Sequence, residues 1–424
     1  MSVRGTQTSF RPTSGALGRT LFTGLKSALS GGSLLFGAVM LVNVLNYGYA
    51  LFLGRFLGPE AYGAYASFMS LFLIISLLPL TLQQVTAKYA AAGESVLTYG
   101  FSLALSWGGL FGLGLALSSP FLGPTVKLPP LWLLLLGLSL PLYALLGALR
   151  GEAQGQQRLG RLGGNMVLEH LGKIALTPLV FLGWPTASGA VVATLGALPL
   201  TFAGLGRFLG RQAISPLKRA EVRRYALPVF LGLAAQALII HSDVLLANAL
   251  LKPEEAGLYA ATSLVGRVVF YGSWAVALAL FPYVAAQGAA GKPHLRLLYL
   301  GLALTGTLCL GAVLICAFFP EWVVGLLFGR AYLAAAPLVA PYAFVTSLYA
   351  LANVLSNHHL ALGHARAGYV PLLAAALQIL LILLHHTGPL QMIWVQAAAK
   401  GGLFLALALL AYMGLLKGGQ RVLR

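Results

Sequence analysis

The sequence is short of charge, and shortest of acid. Of 424 residues only 8% are charged, and nine are Asp or Glu. Soluble domains carry about a quarter charged residues, so this scarcity, beside 59% hydrophobic residues, excludes a water-soluble globule. Cysteine is almost absent. Cys309 and Cys316 lie seven apart in one apolar stretch, which excludes a disulfide framework and reads as two small packing groups on one helix face. The Gly-x-x-x-x-Gly-Lys-Ser/Thr phosphate loop is missing, and no polar segment is long enough for a nucleotide-binding domain, which excludes a self-contained ATP-driven pump. Zinc-ligand spacings, a nucleophile elbow and a His-Glu-x-x-His helix are missing too. The histidine pairs His358-His359 and His385-His386 are adjacent residues, which diverge by about 100° on a helix and do not share a ligand. No catalytic residue, cofactor or metal is expected, and the chain is not read as an enzyme.

What is present is apolar length. The runs are about twenty residues long rather than the ten-residue alternation of a barrel, so the spans are helices. Twelve are read near 33–53, 62–86, 101–122, 131–150, 164–184, 187–207, 225–250, 257–286, 295–318, 336–358, 367–386 and 390–416. The net charge of +18 would suggest nucleic acid in a soluble protein. Here most Lys and Arg fall in short loops, where they set orientation, and no nucleic-acid partner is expected. On alternate loops the cations divide twenty to four, with only Arg55, Lys127, Lys252 and Arg330 on the poorer side. Cationic loops resist translocation, so both termini are placed in the cytoplasm of a multi-pass cell-membrane protein. Trp132, Trp184, Trp322 and Trp394 then fall near the outer span ends, as an interfacial belt would. Residues 1–32 read as a cytoplasmic segment whose Leu17, Leu21, Leu25 and Ala28 stripe suits an interfacial helix; a frayed basic tail is the plainer alternative.

One string occurs twice. Pro59-Glu60-x-x-Gly63-x-Tyr65-Ala66 returns 194 positions later as Pro253-Glu254-x-x-Gly257-x-Tyr259-Ala260, each after the first span of a six-span half. An even number of spans per copy makes the halves parallel repeats. The division is 33–208 for the N-terminal bundle, 209–224 for a basic linker, 225–416 for the C-terminal bundle and 417–424 for a basic tail.

An ionisable group near the bilayer centre costs at least ~2.5–3.5 kcal/mol unless it faces protein or water. Glu169 and Lys173 are four apart in span five, in the favourable order for a helix pair, and His170 points to another face. Asp243 and Arg267 lie at similar depth on either side of a tight hairpin, beside His241, and can pair. That pair reads equally as a structural bridge or as a titrating carboxylate held by a cation. Lys400 is too deep in span twelve to reach either interface. With Arg55 at the end of span one and Asn46 in it, Lys173, Arg267 and Lys400 make a weakly cationic lumen suited to a phosphate-bearing substrate. Asp243, Glu169 and His241 are the candidates for ion coupling.

Four motifs in order resemble the polysaccharide-transporter, lipid-linked oligosaccharide flippase family of the multidrug/oligosaccharidyl-lipid/polysaccharide exporter superfamily. They are Leu53-Gly54-Arg55-Phe56-Leu57-Gly58-Pro59-Glu60-Ala61-Tyr62-Gly63; Ser242-Asp243-Val244-Leu245 with Glu255 to Ala261 and Phe281-Pro282; Leu327-Phe328-Gly329-Arg330-Ala331-Tyr332; and Leu360-Ala361-Leu362-Gly363-His364-Ala365-Arg366. The resemblance implies two six-helix bundles around a central cavity that opens alternately to the two sides, with Arg55, Asp243 and Arg267 as cavity residues. It also implies a substrate made of a polyprenyl-diphosphate-linked oligosaccharide repeat unit, moved to the outer leaflet for surface polysaccharide biosynthesis. Polysaccharide polymerases, glycosyltransferases and membrane lipids are the partners it suggests. A cation-coupled multidrug exporter of the same superfamily would share the repeat but would favour an acidic cavity for cationic drugs. A membrane glycan polymerase or transferase would carry a larger outer loop with catalytic acids; an envelope-assembly scaffold is the remaining alternative.

Overall fold

The computed structural model describes residues 14–203, 205, 216–289, 295–362 and 369–422. Residues 209–215 of the basic linker and residues 363–366 of the Leu-Gly-x-x-Arg turn lie outside the described residues, as does the chain before Ser14. The elements are α1 (Ser14–Ile75), α2 (Leu77–Ala91), α3 (Leu97–Thr125), α4 (Pro130–Gly155), α5 (Leu159–Phe181), α6 (Ala187–Ala203), α7 (Pro216–Leu250), α8 (Pro253–Ala289), α9 (Leu295–Phe318), α10 (Pro320–Leu327), α11 (Ala336–Ala361), α12 (Tyr369–Leu384) and α13 (Pro389–Val422). The chain is an all-α polytopic membrane protein. Seven segments among the described residues have the length and apolar composition of a membrane span, and α12 and Ala187–Phe202 are shorter apolar helices. Large apolar side chains such as Phe121, Leu182 and Phe318 face outward, where lipid rather than water would meet them.

α1 holds two spans joined at a kink. Gly58 sits at φ 75°, ψ 174°, a conformation open to glycine alone. Pro59 then restarts the helix at its first position, where a missing N–H costs nothing, and Glu60 follows in the first turn. α8 begins the same way, with Pro253, Glu254 and Glu255. The repeated string is therefore a helix-start signal, and the two copies meet. A Cβ on Gly63 would lie 2.8 Å from the Gly257 backbone, and one on Gly257 would fall on the Pro59 carbonyl. The end of the bundle that carries this contact is called the string rim below; the opposite end, with Lys88, Lys218 and Arg223, is the basic rim.

Several sequence expectations shift. The helix expected to lead into span one is there, running unbroken from Ser14 into that span. α7 starts at Pro216, so more than half of the basic linker, 216–224, is helix, lying on the first bundle: Arg223 Nε donates to Tyr99 Oη at 2.7 Å and Lys88 Nζ stands 3.4 Å from the Tyr225 ring centroid. Further along, α7 is held by the second bundle, where Gln378 Nε2 donates to the Ile239 carbonyl at 3.1 Å. Pro228 lies between these two attachments. Trp132 is not part of an interfacial belt, because it is buried and donates to Ser188 Oγ at 3.0 Å; Trp184, Trp322 and Trp394 are exposed. The stretch after Glu321 is ordered as α10 and a 3-10 turn, Arg330–Ala335.

Candidate functional site

The string rim is sealed by side-chain donors reaching backbone carbonyls across the two halves. Arg55, exposed at the end of span one, donates from Nε to the Leu327 carbonyl at 3.0 Å and from Nη2 to the Leu326 carbonyl. These are the last carbonyls of α10, which a helix leaves unpaired and which a cation suits. Tyr332 Oη donates to the Gly54 carbonyl at 2.8 Å, Lys127 Nζ to the Leu251 carbonyl at 2.7 Å, and Asn248 Nδ2 to the Val126 carbonyl at 2.8 Å. The first and third sequence motifs are thus in contact with each other. Arg55 stands in this seam rather than in an interior cavity.

In the first bundle the expected Glu169–Lys173 pair does not form. Glu169 Oε2 instead meets Arg150 Nη2 of α4 at 2.6 Å, and Arg150 Nε donates to Asn165 Oδ1 at 2.8 Å. Arg150 was counted as a loop cation, yet it is 7% exposed. Its planar fork serves two partners at once, which a lysine one turn along the same helix does not. Lys173 turns to α1, donating to Asn46 Oδ1 at 3.0 Å with its ammonium 4.6 Å from the Tyr49 ring centroid. His170 bonds the Met166 carbonyl of its own helix.

The second bundle carries the more elaborate site. Asp243, wholly buried, accepts the Tyr259 hydroxyl at 3.0 Å and the Tyr342 hydroxyl at 2.5 Å on Oδ2, and the Val244 amide at 2.8 Å on Oδ1. No salt bridge joins it to Arg267, so the expected hairpin pair gives way to a carboxylate held by phenols. Gln396 Nε2 donates to Tyr259 Oη at 2.6 Å, and Lys400 Nζ donates to Gln396 Oε1 at 2.8 Å. Gly266 makes room for this arrangement: a Cβ there would strike the Tyr342 ring and come 2.8 Å from Thr346 Oγ1.

Arg267 points the other way. Its Nη2 reaches Ser70 Oγ of the first bundle at 3.3 Å, a long contact, while its buried Nε has no partner. Arg267 and Lys400 together line a small pocket with Tyr342, Thr346, Tyr349 and Phe270. Thr346 Oγ1 is also buried without a partner, as is Nδ1 of nearby His241. Of the pocket residues the sequence singled out Arg267 and Lys400 but not Tyr342 or Thr346, and it did not single out Arg150 in the first bundle. Tyr342 and Thr346 look like ordinary membrane-helix residues, and only the register of α11 against α8 reveals them.

The pocket offers two cations, a free guanidinium N–H and a hydroxyl, while the acid between the helices is already saturated. Chemically that is a receptor for an anion. The sequence model of the polysaccharide biosynthesis protein family matches residues 28–287, more than half of the chain. No protein of curated function matches the sequence. Among solved structures the chain is similar to the lipid II flippase MurJ in an inward closed conformation, with a TM-score of 0.73 at 12% identity over 89% of this chain and 87% of that one. It is similar to an inward-facing multidrug resistance MATE family transporter of the MOP superfamily, with a TM-score of 0.72 at 15% identity over 87% and 94%. A MOP superfamily transporter from Pyrococcus furiosus, described by the reverse polarity of its binding pocket, gives 0.63 at 17% over 94% and 95%. These likenesses carry the fold, two parallel six-helix bundles, and the family match carries the lineage: the chain belongs to the polysaccharide biosynthesis protein family.

Proposed function

We propose that the protein is a flippase that carries a polyprenyl-diphosphate-linked oligosaccharide from the cytoplasmic to the outer leaflet of the cell membrane. The observation that carries this reading is the Arg267–Lys400 pocket, whose donors at Arg267 Nε and Thr346 Oγ1 are buried and unpaired. Buried donors without partners cost about 1–3 kcal/mol each, and a diphosphate oxygen would satisfy them. The glycan would occupy the polar space towards Asn46 and Lys173, while the lipid tail stays in the bilayer. Loop charge supports cytoplasmic termini and an outward string rim, so the sealed string rim belongs to a state closed to the outside. A drug exporter shares this fold, but a cationic drug would meet two cations here and no free carboxylate. Polymerases and glycosyltransferases that use or make the glycan are the partners this reading implies.

Reconstitution into liposomes with a labelled lipid-linked oligosaccharide tests it directly. Flipping by the wild type and its loss in Arg267→Ala, at equal protein level, is the expected result. Efflux of cationic drugs without lipid flipping would overturn the assignment.

A further inference from the structure

Asp243 has no room for a substrate, since three donors already occupy its oxygens and none of it reaches the surface. Two threads nevertheless join it to the anion pocket. Tyr342 lines the pocket with its ring and gives its hydroxyl to Asp243. Lys400, on the pocket wall, bonds Gln396, which bonds Tyr259, which bonds Asp243. The pocket and the acid therefore share one set of helices and one hydrogen-bond chain.

Resting on the reading of the pocket as a diphosphate site, we propose that an anion in the pocket and a proton on Asp243 bind cooperatively, with Tyr342 and Gln396 as the positioning residues between them. The groups around Asp243 are Tyr259 of α8, Tyr342 of α11 and, through Gln396, Lys400 of α13, while Arg267 of α8 turns away to Ser70 and His241 lies on the same helix as Asp243. α12 contributes only neutral Gln378, bonded to Ser242, and Tyr47 and Tyr62 of α1 lie beside Arg267. In the empty pocket, Asp243 offsets part of the charge of two cations. A diphosphate takes those cations for itself and leaves the carboxylate facing a second anion across one phenol ring. Proton uptake relieves that repulsion, and a protonated Asp243 leaves Arg267 and Lys400 wholly to the ligand. The two effects are equal by linkage. A proton on Oδ2, the oxygen that holds both phenols, turns one of its acceptor positions into a donor, so there the bond with Tyr342 or Tyr259 reverses, and Gln396 fixes which way Tyr259 can turn.

The sign has a mechanistic consequence. Exchange of a proton for substrate needs the two to exclude each other at one site, whereas here they occupy neighbouring sites together. Asp243 then accompanies the headgroup and does not trade places with it.

The test is calorimetric binding of inorganic pyrophosphate to the purified full chain in detergent. It is run at pH 6 and pH 8 in two buffers of different ionisation enthalpy, which yields protons taken up per anion. Both proteins carry Lys400→Arg, which keeps the pocket cation but never loses its proton, and pyrophosphate's own titration is common to the two, so the difference between the chain with Asp243 (wild type below) and Asp243→Asn belongs to Asp243. Wild type should take up more protons than the variant, and its affinity should rise on the order of tenfold more from pH 8 to pH 6. Gln396→Leu should still bind pyrophosphate, with a pH profile flattened towards that of Asp243→Asn. Equal proton uptake in wild type and Asp243→Asn, or a wild-type affinity that weakens at low pH relative to the variant, would overturn the linkage. Failure of wild type to bind pyrophosphate at all would overturn the anion pocket itself, and with it this proposal.

Discussion

The crossing of α1 and α8 at Gly63 and Gly257 allows a quantitative test. A methyl group at Gly63 would sit 2.8 Å from the Cα and N of Gly257, where ordinary contact begins near 3.4 Å. The obstacle is backbone on both sides, so no rotamer change relieves it and the helices must part by about 0.6 Å. Overpacking of this kind costs about 1–3 kcal/mol. If the halves separate at this rim during transport, the cost falls on the sealed state alone, and Gly63→Ala should raise the open fraction roughly 5- to 150-fold. The reporter is Ala256→Cys, at a position 2% exposed beside the crossing, in a background with Cys309 and Cys316 replaced by Ala. Its reaction rate with a membrane-impermeant maleimide should rise by that factor in Gly63→Ala, and not in Gly114→Ala, whose added methyl meets nothing within 4 Å. An unchanged rate at unchanged thermal stability would refute the claim that this crossing is a moving seam.

The Arg150–Glu169 bridge predicts that Arg150→Met or Glu169→Gln alone loses about 3–5 kcal/mol, and that an apolar double replacement recovers most of it; thermal denaturation of singles and double checks this, and singles as stable as wild type would disprove the pairing. Gly266→Ala should displace Tyr342 from Asp243 and cost about 1–3 kcal/mol, with Tyr342→Phe showing a similar loss of transport. Arg55→Lys keeps the charge but cannot span two carbonyls with one ammonium. It should therefore raise maleimide labelling of Ala256→Cys, and by less than Gly63→Ala does.

Much of the fold is legible because lipid leaves the chain few choices. Apolar length forces helices, loop charge orders them, and the Pro-Glu string marks the start of two of them. Helix pairing is harder to read. Glu169 had a lysine at the ideal spacing on its own helix, yet it chose Arg150 because a cross-helix guanidinium could also satisfy Asn165. Asp243 and Arg267 have matching depth but opposite headings, and depth is all that spacing along a sequence supplies. The phenols that hold Asp243 come from residues 16 and 99 positions away, and tyrosine gives no warning of such a role in a chain with 17 of them. Arg55 was legible as a cation closing span one; its carbonyl partners on α10 were not, because the apolar run at 322–328 is too short to read as a span.

The meeting of Gly63 with Gly257 is a residue touching its own counterpart. In a pair of identical subunits, that happens on the two-fold axis, where a surface patch is complementary to itself. The contact therefore marks where the pseudo-two-fold axis that relates the halves crosses the rim. Stepping back by the same 194 positions from Asp243 arrives at Tyr49, and from Tyr259 at Tyr65, and those two rings still pack edge to face at 6.5 Å. One half has a pair of aromatic rings there, and the other has a carboxylate in place of the first ring.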